Sequence, residues 1–260
     1  PHFEKMLYDN ALLCWVYLEA YQVTGDEFYA GIVRQTLDYV LREMTRDGGG
    51  FYSTQDADSE GEEGVFFTWL PEEVEELLGE EDAVLFMRYY GIVPAGNFEH
   101  GRSILHVEYD WAIIAGQLQV EERRLRAVVR RGAQILFAER QQRVAPARDD
   151  KVLVAWNGFM ISAMARAYQV LGDERYGHAA GEAVDFILEK MRDKTGLLHT
   201  YKDGRARVGA FQDDYAALVN GLLDLYEARF EPVRLRQACE LAEEMVARFW
   251  DADKGGFFYV

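Results

Sequence analysis

Cysteine is scarce: the 260 residues hold two, Cys14 and Cys239. They form no CxxC pair and no zinc spacing, which excludes a dithiol redox motif and a cysteine-built zinc site. Both sit within helical patterns and are expected to be buried free thiols of a reducing, cytoplasmic compartment. Histidine numbers five, with no HxxxH metal pair. A glycine-rich phosphate loop and a nucleophile elbow are missing too, so neither metal nor cofactor is expected. Basic residues are outnumbered, 28 Lys and Arg against 45 Asp and Glu, for a formal net charge of −17. A field of that sign repels nucleic acid and anionic lipid, which argues against both as partners. Charged residues interrupt every apolar run, so none has the length a bilayer-spanning helix needs. No signal peptide is visible.

What is present is a pattern stated three times. Asp9-Asn10 opens an apolar helical stretch that reaches Tyr21, then a second helix, then Gly49-Gly50-Phe51-Tyr52. Trp156-Asn157-Gly158 opens another that reaches Tyr168 and closes, one helix later, at Thr195-Gly196-Leu197-Leu198. Asp214-Tyr215 opens the third, which reaches Tyr226 and closes at Gly255-Gly256-Phe257-Phe258-Tyr259. Opening and closing lie about 40 residues apart each time, the mark of an internal repeat. The spacing predicts helices over 7–23, 27–46, 152–171, 173–192, 211–229 and 232–250, each roughly 25 to 30 Å long. A β-hairpin is expected near 51–69, with 51–53 and 65–68 flanking an acidic turn. Helices are expected from Pro71, over 80–90, near Glu108 and over 120–143; 144–151 reads as a linker and 196–208 as a polar, turn-rich segment. The chain is thus predicted to be all-α. Copies two and three begin about 60 residues apart, longer than common solenoid repeats, which favours an α/α toroid of the six-hairpin type over residues 1–260. The chain reads as a piece of a longer protein, with the ring incomplete.

In an antiparallel helix pair the second helix ends at the height where the first began. One rim of the toroid therefore collects the openings and the glycine turns. That rim receives Asp9, Asn10, Trp156, Asn157, Asp213 and Asp214, with Arg148-Asp149-Asp150-Lys151 just before a first helix. It also receives the acidic loop Gln55-Asp56-Ala57-Asp58-Ser59-Glu60-Gly61-Glu62-Glu63. Carboxylates, amides and aromatic faces together suit a sugar. The plainer reading of Asp or Asn at a helix start is an N-cap, and Lys151 and Arg148 can simply neutralise their doublet. For the acidic loop three readings stand: half of a calcium loop without its closing acid, since Phe67 fills that place; a solvated turn; or a source of a general acid or base. His2 precedes the first repeat helix and His199 closes the second turn, so both are expected on this rim. His100, His106 and His178 read as surface or structural.

Three motifs resemble one family. Pro1-His2-Phe3-Glu4-Lys5-Met6-Leu7-Tyr8-Asp9-Asn10-Ala11, the run from Gly50 through the acidic loop to Gly64, and Asp149-Asp150-Lys151 followed by Trp156-Asn157-Gly158 resemble signatures of the spermatogenesis-associated, thioredoxin-domain-containing proteins. The resemblance implies a toroid similar to those of N-acylglucosamine 2-epimerases and six-hairpin glycosidases, and a thioredoxin-like domain that this chain lacks and would meet as a partner in the full-length protein. By fold analogy it implies carbohydrate chemistry. In a hydrolase version Asp56, Asp58 or Glu60 would protonate the leaving oxygen while Asp149, Asp150, Asp213 or Asp214 activates water. In an epimerase version His2 and His199 would exchange a proton beside a carbonyl. Glu4, Lys5, Tyr8, Asp9, Arg148, Lys151, Trp156 and Asn157 are the expected sugar contacts. The rival expectation is a non-catalytic toroid that binds a glycan, a peptide or a partner domain.

Overall fold

A computed structural model describes residues 2–260. In chain order, β1 (Lys5–Met6) leads into α1 (Leu7–Thr24), α2 (Glu27–Tyr39) and one π turn, Val40–Met44. Short strands β2 (Thr54–Gln55), β3 (Asp58–Ser59) and β4 (Glu62–Glu63) follow, then helices α3 (Pro71–Leu78), α4 (Glu80–Tyr89), α5 (Trp111–Leu118) and α6 (Glu122–Arg140). Next come β5 (Arg148–Asp149), β6 (Val152–Leu153), α7 (Val154–Leu171), α8 (Glu174–Lys190), β7 (Arg192–Asp193), β8 (Gly196–Lys202) and β9 (Arg205–Gly209). Helices α9 (Gln212–Arg229) and α10 (Pro232–Phe249) end the series. Among the described residues no helix is long and apolar enough to cross a membrane. The helices divide between two compact units, the larger spanning Lys5–Gln55 and Arg148–Val260, the smaller holding Asp56–Ala147 and the residues up to Glu4.

The larger unit contains the three repeats, and several of their hydrogen bonds recur in each. Helices α1, α7 and α9 each have 18 residues. Each ends on a left-handed residue, Gly25, Gly172 or Phe230, whose N–H bonds the carbonyl of Tyr21, Tyr168 or Tyr226. Glycine tolerates that conformation at no steric cost; Phe230 adopts it at φ 53°. Asp26 and Asp173 then cap α2 and α8 by accepting the Phe28 and Arg175 N–H groups. After each second helix the chain folds back, with Tyr52, Leu198 and Phe258 donating to the carbonyls of Met44, Met191 and Phe249 at 2.7, 2.8 and 2.7 Å. Helix α7 packs against α1, α8 and α9, and Leu7, Met44, Phe51, Met160, Ile161 and Tyr176 are all shut from solvent. The approach of α7 to α9 is set by glycine: a Cβ on Gly158 would lie 2.5 to 2.7 Å from the Ala217 and Leu218 backbone.

The sequence expectation fails locally in four places. The helix starting at Glu27 widens into its π turn and stops at Met44 rather than near residue 46. Segment 51–53 does not pair with 65–68. Phe51 instead bridges Thr45, and β2 joins β1 and β5 in a three-stranded sheet. The hairpin within 51–69 is the smaller β3–β4 pair. Segment 196–208 is a regular hairpin, β8–β9, turning at Asp203-Gly204 with φ 51° and 76°, the left-handed pair that a two-residue turn needs. Finally, Cys14 is buried as expected but Cys239 is exposed on α10.

In the smaller unit, α4, α5 and α6 share one apolar cluster built on Leu85, Ile114 and Leu125, and α3 joins a second around Trp69 and Phe86. Glu73 holds Arg102 and Arg143 at 3.3 and 3.2 Å. The Arg143 guanidinium lies 3.9 Å from the centre of the Trp69 ring. It also donates to the carbonyls of Val65, Phe66 and Thr68, which fixes the segment after the acidic loop.

Candidate functional site

Strand β8 pairs with β6, the two residues that run into α7. The β8–β9 hairpin is thereby anchored at the start of one first helix and leads into the start of the next. On β8 sits His199; in the first turn of α9 sits Asp214, fully buried. The His199 Nδ1 lies 2.8 Å from Asp214 Oδ2. The same carboxylate accepts the Phe211 N–H at 2.9 Å, reaching back over the helix start, and the Ala155 N–H at 2.9 Å from the first turn of α7. Burial pushes the Asp214 carboxyl up from its ordinary value, against the pull of the Phe211 N–H, of His199 and of the Ala155 N–H. With Asp214 ionised and the imidazole neutral, the carboxylate accepts from Nδ1–H and the lone pair lies on Nε2. Nε2 has no protein partner among the described residues, and the side chain is 27% exposed. Phe211 meets the imidazole edge-on at 5.0 Å, and Tyr259 stacks on Phe211 at 5.8 Å with the rings 2° from parallel. The Tyr259 hydroxyl reaches Asp213 Oδ2 at 3.4 Å.

A second constellation forms where β5 meets α7. Lys151 Nζ is 2.9 Å from Asp149 Oδ2, and Lys202 Nζ is 2.8 Å from Asp150 Oδ1 and 3.7 Å from Asp149 Oδ1. Burial pushes the Asp149 carboxyl up, but the Lys151 ammonium and N–H and the nearby Lys202 together outweigh it and hold it below its ordinary value. Arg148 turns elsewhere: it donates to the Glu43 carbonyl and covers the Tyr52 ring at 4.2 Å. Lys5 lies in β1, and Asp9 is exposed at the start of α1. Tyr8 and Trp156 meet edge to face at 4.8 Å, both half-buried.

Asn157 faces the protein instead of the rim. It is fully buried, accepts the Phe51 N–H at 2.8 Å, and donates to the carbonyls of Phe51 and Leu153 at 3.0 and 2.9 Å. Its amide is committed to backbone. The residues of the acidic loop do the opposite. In the smaller unit Asp56, Asp58 and Glu60 are exposed, and the loop is shaped internally, the Asp58 N–H bonding Asp56 Oδ1 at 3.2 Å. His2, also exposed, lies 3.4 Å from Glu4 and 3.9 Å from Glu63. Among the described residues no group of three or more His, Cys, Asp or Glu side chains is placed to hold a metal ion.

Two groups escape the sequence reading. Phe211 lies against His199 and Tyr259 stacks on Phe211, and the only hint was that the glycine–aromatic turn after Gly256 is expected on the same rim as Asp213 and Asp214. Towards the C-terminal ends of α1, α7 and α9, a polar cleft of about 200 Å³ is lined by Glu19, Arg166, Asp224 and Glu227. Ser162 donates to Asp224 there. These residues lie at ordinary helical spacing, so nothing in the sequence marked them.

No family model matches the chain. Over 99% of its length it is 36% identical to spermatogenesis-associated protein 20 of Homo sapiens and of Mus musculus, and it spans 37% of each. It is 28% identical to an uncharacterized protein of Caenorhabditis elegans, of which it spans 39%. The chain therefore covers well under half the length of these relatives. Two solved structures share its fold. A glycoside hydrolase family 76 mannosidase from Bacteroides thetaiotaomicron aligns with 98% of this chain and 49% of its own, at TM-score 0.53 and 11% identity. An unsaturated glucuronyl hydrolase from Bacillus sp. GL1 aligns with 98% and 50%, at TM-score 0.52 and 13% identity. At such identities the likeness concerns fold alone. The fold is of the α/α-toroid class that the repeat spacing predicts, with small sheets added.

Proposed function

We propose that this chain, homologous along its length to a segment of the spermatogenesis-associated proteins, carries a carbohydrate-active site in its larger unit, with His199 as the proton-transfer group and Asp214 as the residue that orients it. The observation that carries the reading is the 2.8 Å contact between buried Asp214 and His199 Nδ1, which leaves Nε2 basic and open. A carboxylate behind an imidazole fixes both its tautomer and its direction. In the reaction we assign, Nε2 takes the proton from the carbon beside the carbonyl of an open-chain sugar. The C–H electron pair becomes the enediolate. The same imidazolium returns the proton to the neighbouring carbon in an isomerisation, or a second acid delivers one to the opposite face in an epimerisation. The Phe211 and Tyr259 rings offer apolar faces for the sugar's C–H groups.

Glycoside hydrolysis is the less favoured version. It needs two carboxyl groups free to act, about 6.5 to 9.5 Å apart for inversion. In the larger unit Asp149 and Asp150 are paired with lysines, and Asp214 already accepts three donors. The second reading is a non-catalytic toroid that binds a glycan, a peptide or a partner domain. It is favoured by the same three bonds, which would hold Asp214 in place with no chemistry at all. A thioredoxin-like domain of the full-length polypeptide is the protein partner this second reading carries, and a cytoplasmic location goes with both.

Deuterium uptake tests the first reading. The chain is incubated in D₂O with a panel of aldoses, ketoses and 2-acylamino sugars, and exchange at the carbon beside the carbonyl is followed by NMR. Exchange lost in His199→Gln, with the circular dichroism unchanged, supports it. No exchange with any sugar, alongside sugar-dependent shifts of the His199 resonances, would leave the binding reading in its place.

A further inference from the structure

The smaller unit holds a cavity of about 180 Å³ that the proposed sugar chemistry does not use. Residues 69–140 supply all of its walls, from α4, α6 and the segments around Trp69 and Leu105. Four of the lining side chains are aromatic, Trp69, Phe86, Tyr90 and Phe137, and Ala133 and Leu136 add aliphatic surface. Among the described residues the one charged side chain in the lining is Arg140. The walls are held in place. Phe86 is shut from solvent, and α6 approaches it closely because residue 132 is glycine: a Cβ there would lie 2.5 Å from the Phe86 ring. The Phe86 and Tyr90 rings meet at 4.8 Å. Trp69 is buried, exchanges two backbone bonds with Ser103 at 3.1 and 2.7 Å, and carries the Arg143 guanidinium on its ring. A ligand entering such a cavity loses little affinity to ordering the protein.

The lining sorts ligands by chemistry. It has no set of donors and acceptors for the hydroxyls of a sugar, and stripping those of water without replacement is costly. A flat ring suits it better. A cavity of about 150 Å³ with apolar walls holds one benzene, and aromatic walls gain edge-to-face or offset contacts with a ring. The polar end is Arg140. Its guanidinium lies 5.3, 5.8 and 5.2 Å from the centres of the Phe66, Phe67 and Phe137 rings, and the lining includes no carboxylate. A guanidinium held over aromatic rings keeps N–H groups in its own plane, the geometry that grips a carboxylate with two parallel bonds. Burial pushes the Tyr90 phenol up, so it stays a neutral O–H donor in the same lining. An ammonium group would meet only a like charge.

We infer that this cavity binds a small carboxylate carried on a single aromatic ring, with the ring among Trp69, Phe86, Tyr90 and Phe137 and the carboxylate paired with Arg140. No unmodified protein side chain joins a carboxylate to an aromatic ring, so ring walls together with a cation select a free small molecule over a docked polypeptide. The ligand is bound and not converted. The site shares no residue with the His199 constellation, and it stands or falls independently of the sugar chemistry.

NMR titration of the whole chain with benzoate, benzyl alcohol and benzylamine tests this. Benzoate should saturate with a Kd on the order of 1 mM, as suits so small a ligand, and its ring should show nuclear Overhauser contacts to the methyl groups of Leu105 and Leu136. Benzyl alcohol should bind roughly tenfold more weakly, for want of the charge-assisted pair, and benzylamine should not bind. Ala133→Leu places a larger side chain in the cavity and should abolish benzoate binding, with an unchanged thermal melt to show that the variant folds. Arg140→Met keeps an apolar stem. It should bring benzoate down to the level of benzyl alcohol or below, and unchanged benzyl alcohol binding would show its cavity intact. Absence of saturable benzoate binding, or benzoate contacts elsewhere on the chain, would overturn the inference. So would benzyl alcohol bound as tightly as benzoate, which would mark a cavity for any ring, a polypeptide's phenylalanine included.

Discussion

Asn157 offers the sharpest test of how the repeats are joined. Phe51 is fully buried, and Asn157 is the partner of both its backbone groups. Replacing Asn157 by Ala leaves a buried N–H and a buried C=O without partners, each costing about 1 to 3 kcal/mol. The Leu153 carbonyl loses a side-chain donor but lies at a helix start, where it also accepts within the helix. The expected loss is therefore roughly 2 to 6 kcal/mol, a large share of a typical domain's stability. Asn157→Asp keeps the shape but turns a donor into an oxygen facing two carbonyls in a dry site. It should be worse than Ala near neutral pH. Here the sign of the pH response is fixed. Burial and the two carbonyls favour the neutral acid, so the new carboxyl has a folded pKa above its unfolded one. Its penalty is full above the folded pKa and falls away as pH drops through it, when the acid's O–H can donate to Phe51. Amide hydrogen exchange at Phe51, read with urea midpoints, measures both. A loss of ~3 kcal/mol corresponds to exchange more than a hundredfold faster. Phe51 exchange within threefold of wild type in Asn157→Ala, or an Asn157→Asp chain as stable as wild type at pH 7, would refute the hold of Asn157 on Phe51.

Gly158→Ala should destabilise by about 1 to 3 kcal/mol or more, because its Cβ meets backbone rather than a movable side chain; an unchanged thermal midpoint would contradict the close α7–α9 contact. The two thiols should separate cleanly: Cys239 is exposed, whereas burial pushes the Cys14 thiol up to about 12. A disulfide reagent at pH 8 should titrate one thiol in the native chain and two in denaturant. The lysines around Asp149 hold its carboxyl below the ordinary range, so the stability it contributes is present above that range and lost as pH falls through the lowered value. NMR titration of Lys151→Met and Lys202→Met should show the Asp149 carboxyl moving up, and an unmoved titration would assign the shift to something else.

Much of the architecture was legible because its signals are local. Helical spacing, Gly25 and Gly172 at helix ends, and Asp26 and Asp173 at helix starts mark four of the long helices without reference to anything distant. The short sheets were not legible in the same way. Strand β2 pairs with residues at 5–6 and 148–149, and no local pattern announces partners so far apart. The β8–β9 hairpin did carry its turn signal, Asp203-Gly204, but its exposed strands are rich in Thr, Lys and Arg and read as loop. Polar residues at helix starts were the hardest. Asn157 and Asp214 were placed on the rim by correct geometry, yet position along a helix does not say whether a side chain turns to solvent or to the next repeat.

Asp9 and Asp214 make the point, since both are third in a first helix of the same repeat. Asp9 is exposed, while Asp214 is shut from solvent under three donors. The difference does not come from the helices, which match. It comes from what precedes them: two residues of strand before α1, but the whole β8–β9 hairpin before α9. That hairpin brings His199 down onto the carboxylate and sets Phe211 beside it. The acidic loop after Gly50 is also a departure from the repeat, but it projects Asp56, Asp58 and Glu60 into water, and the bond that the Asp56 carboxylate accepts comes from the loop's own backbone, the Asp58 N–H. Of the two departures, only the one between the second and third repeats buries a charged group against a titratable one. Burying a carboxylate costs stability that its three donors must offset, and a perturbed carboxyl set against an imidazole is typical of functional sites, which is why we propose His199 rather than the loop as the proton-transfer group.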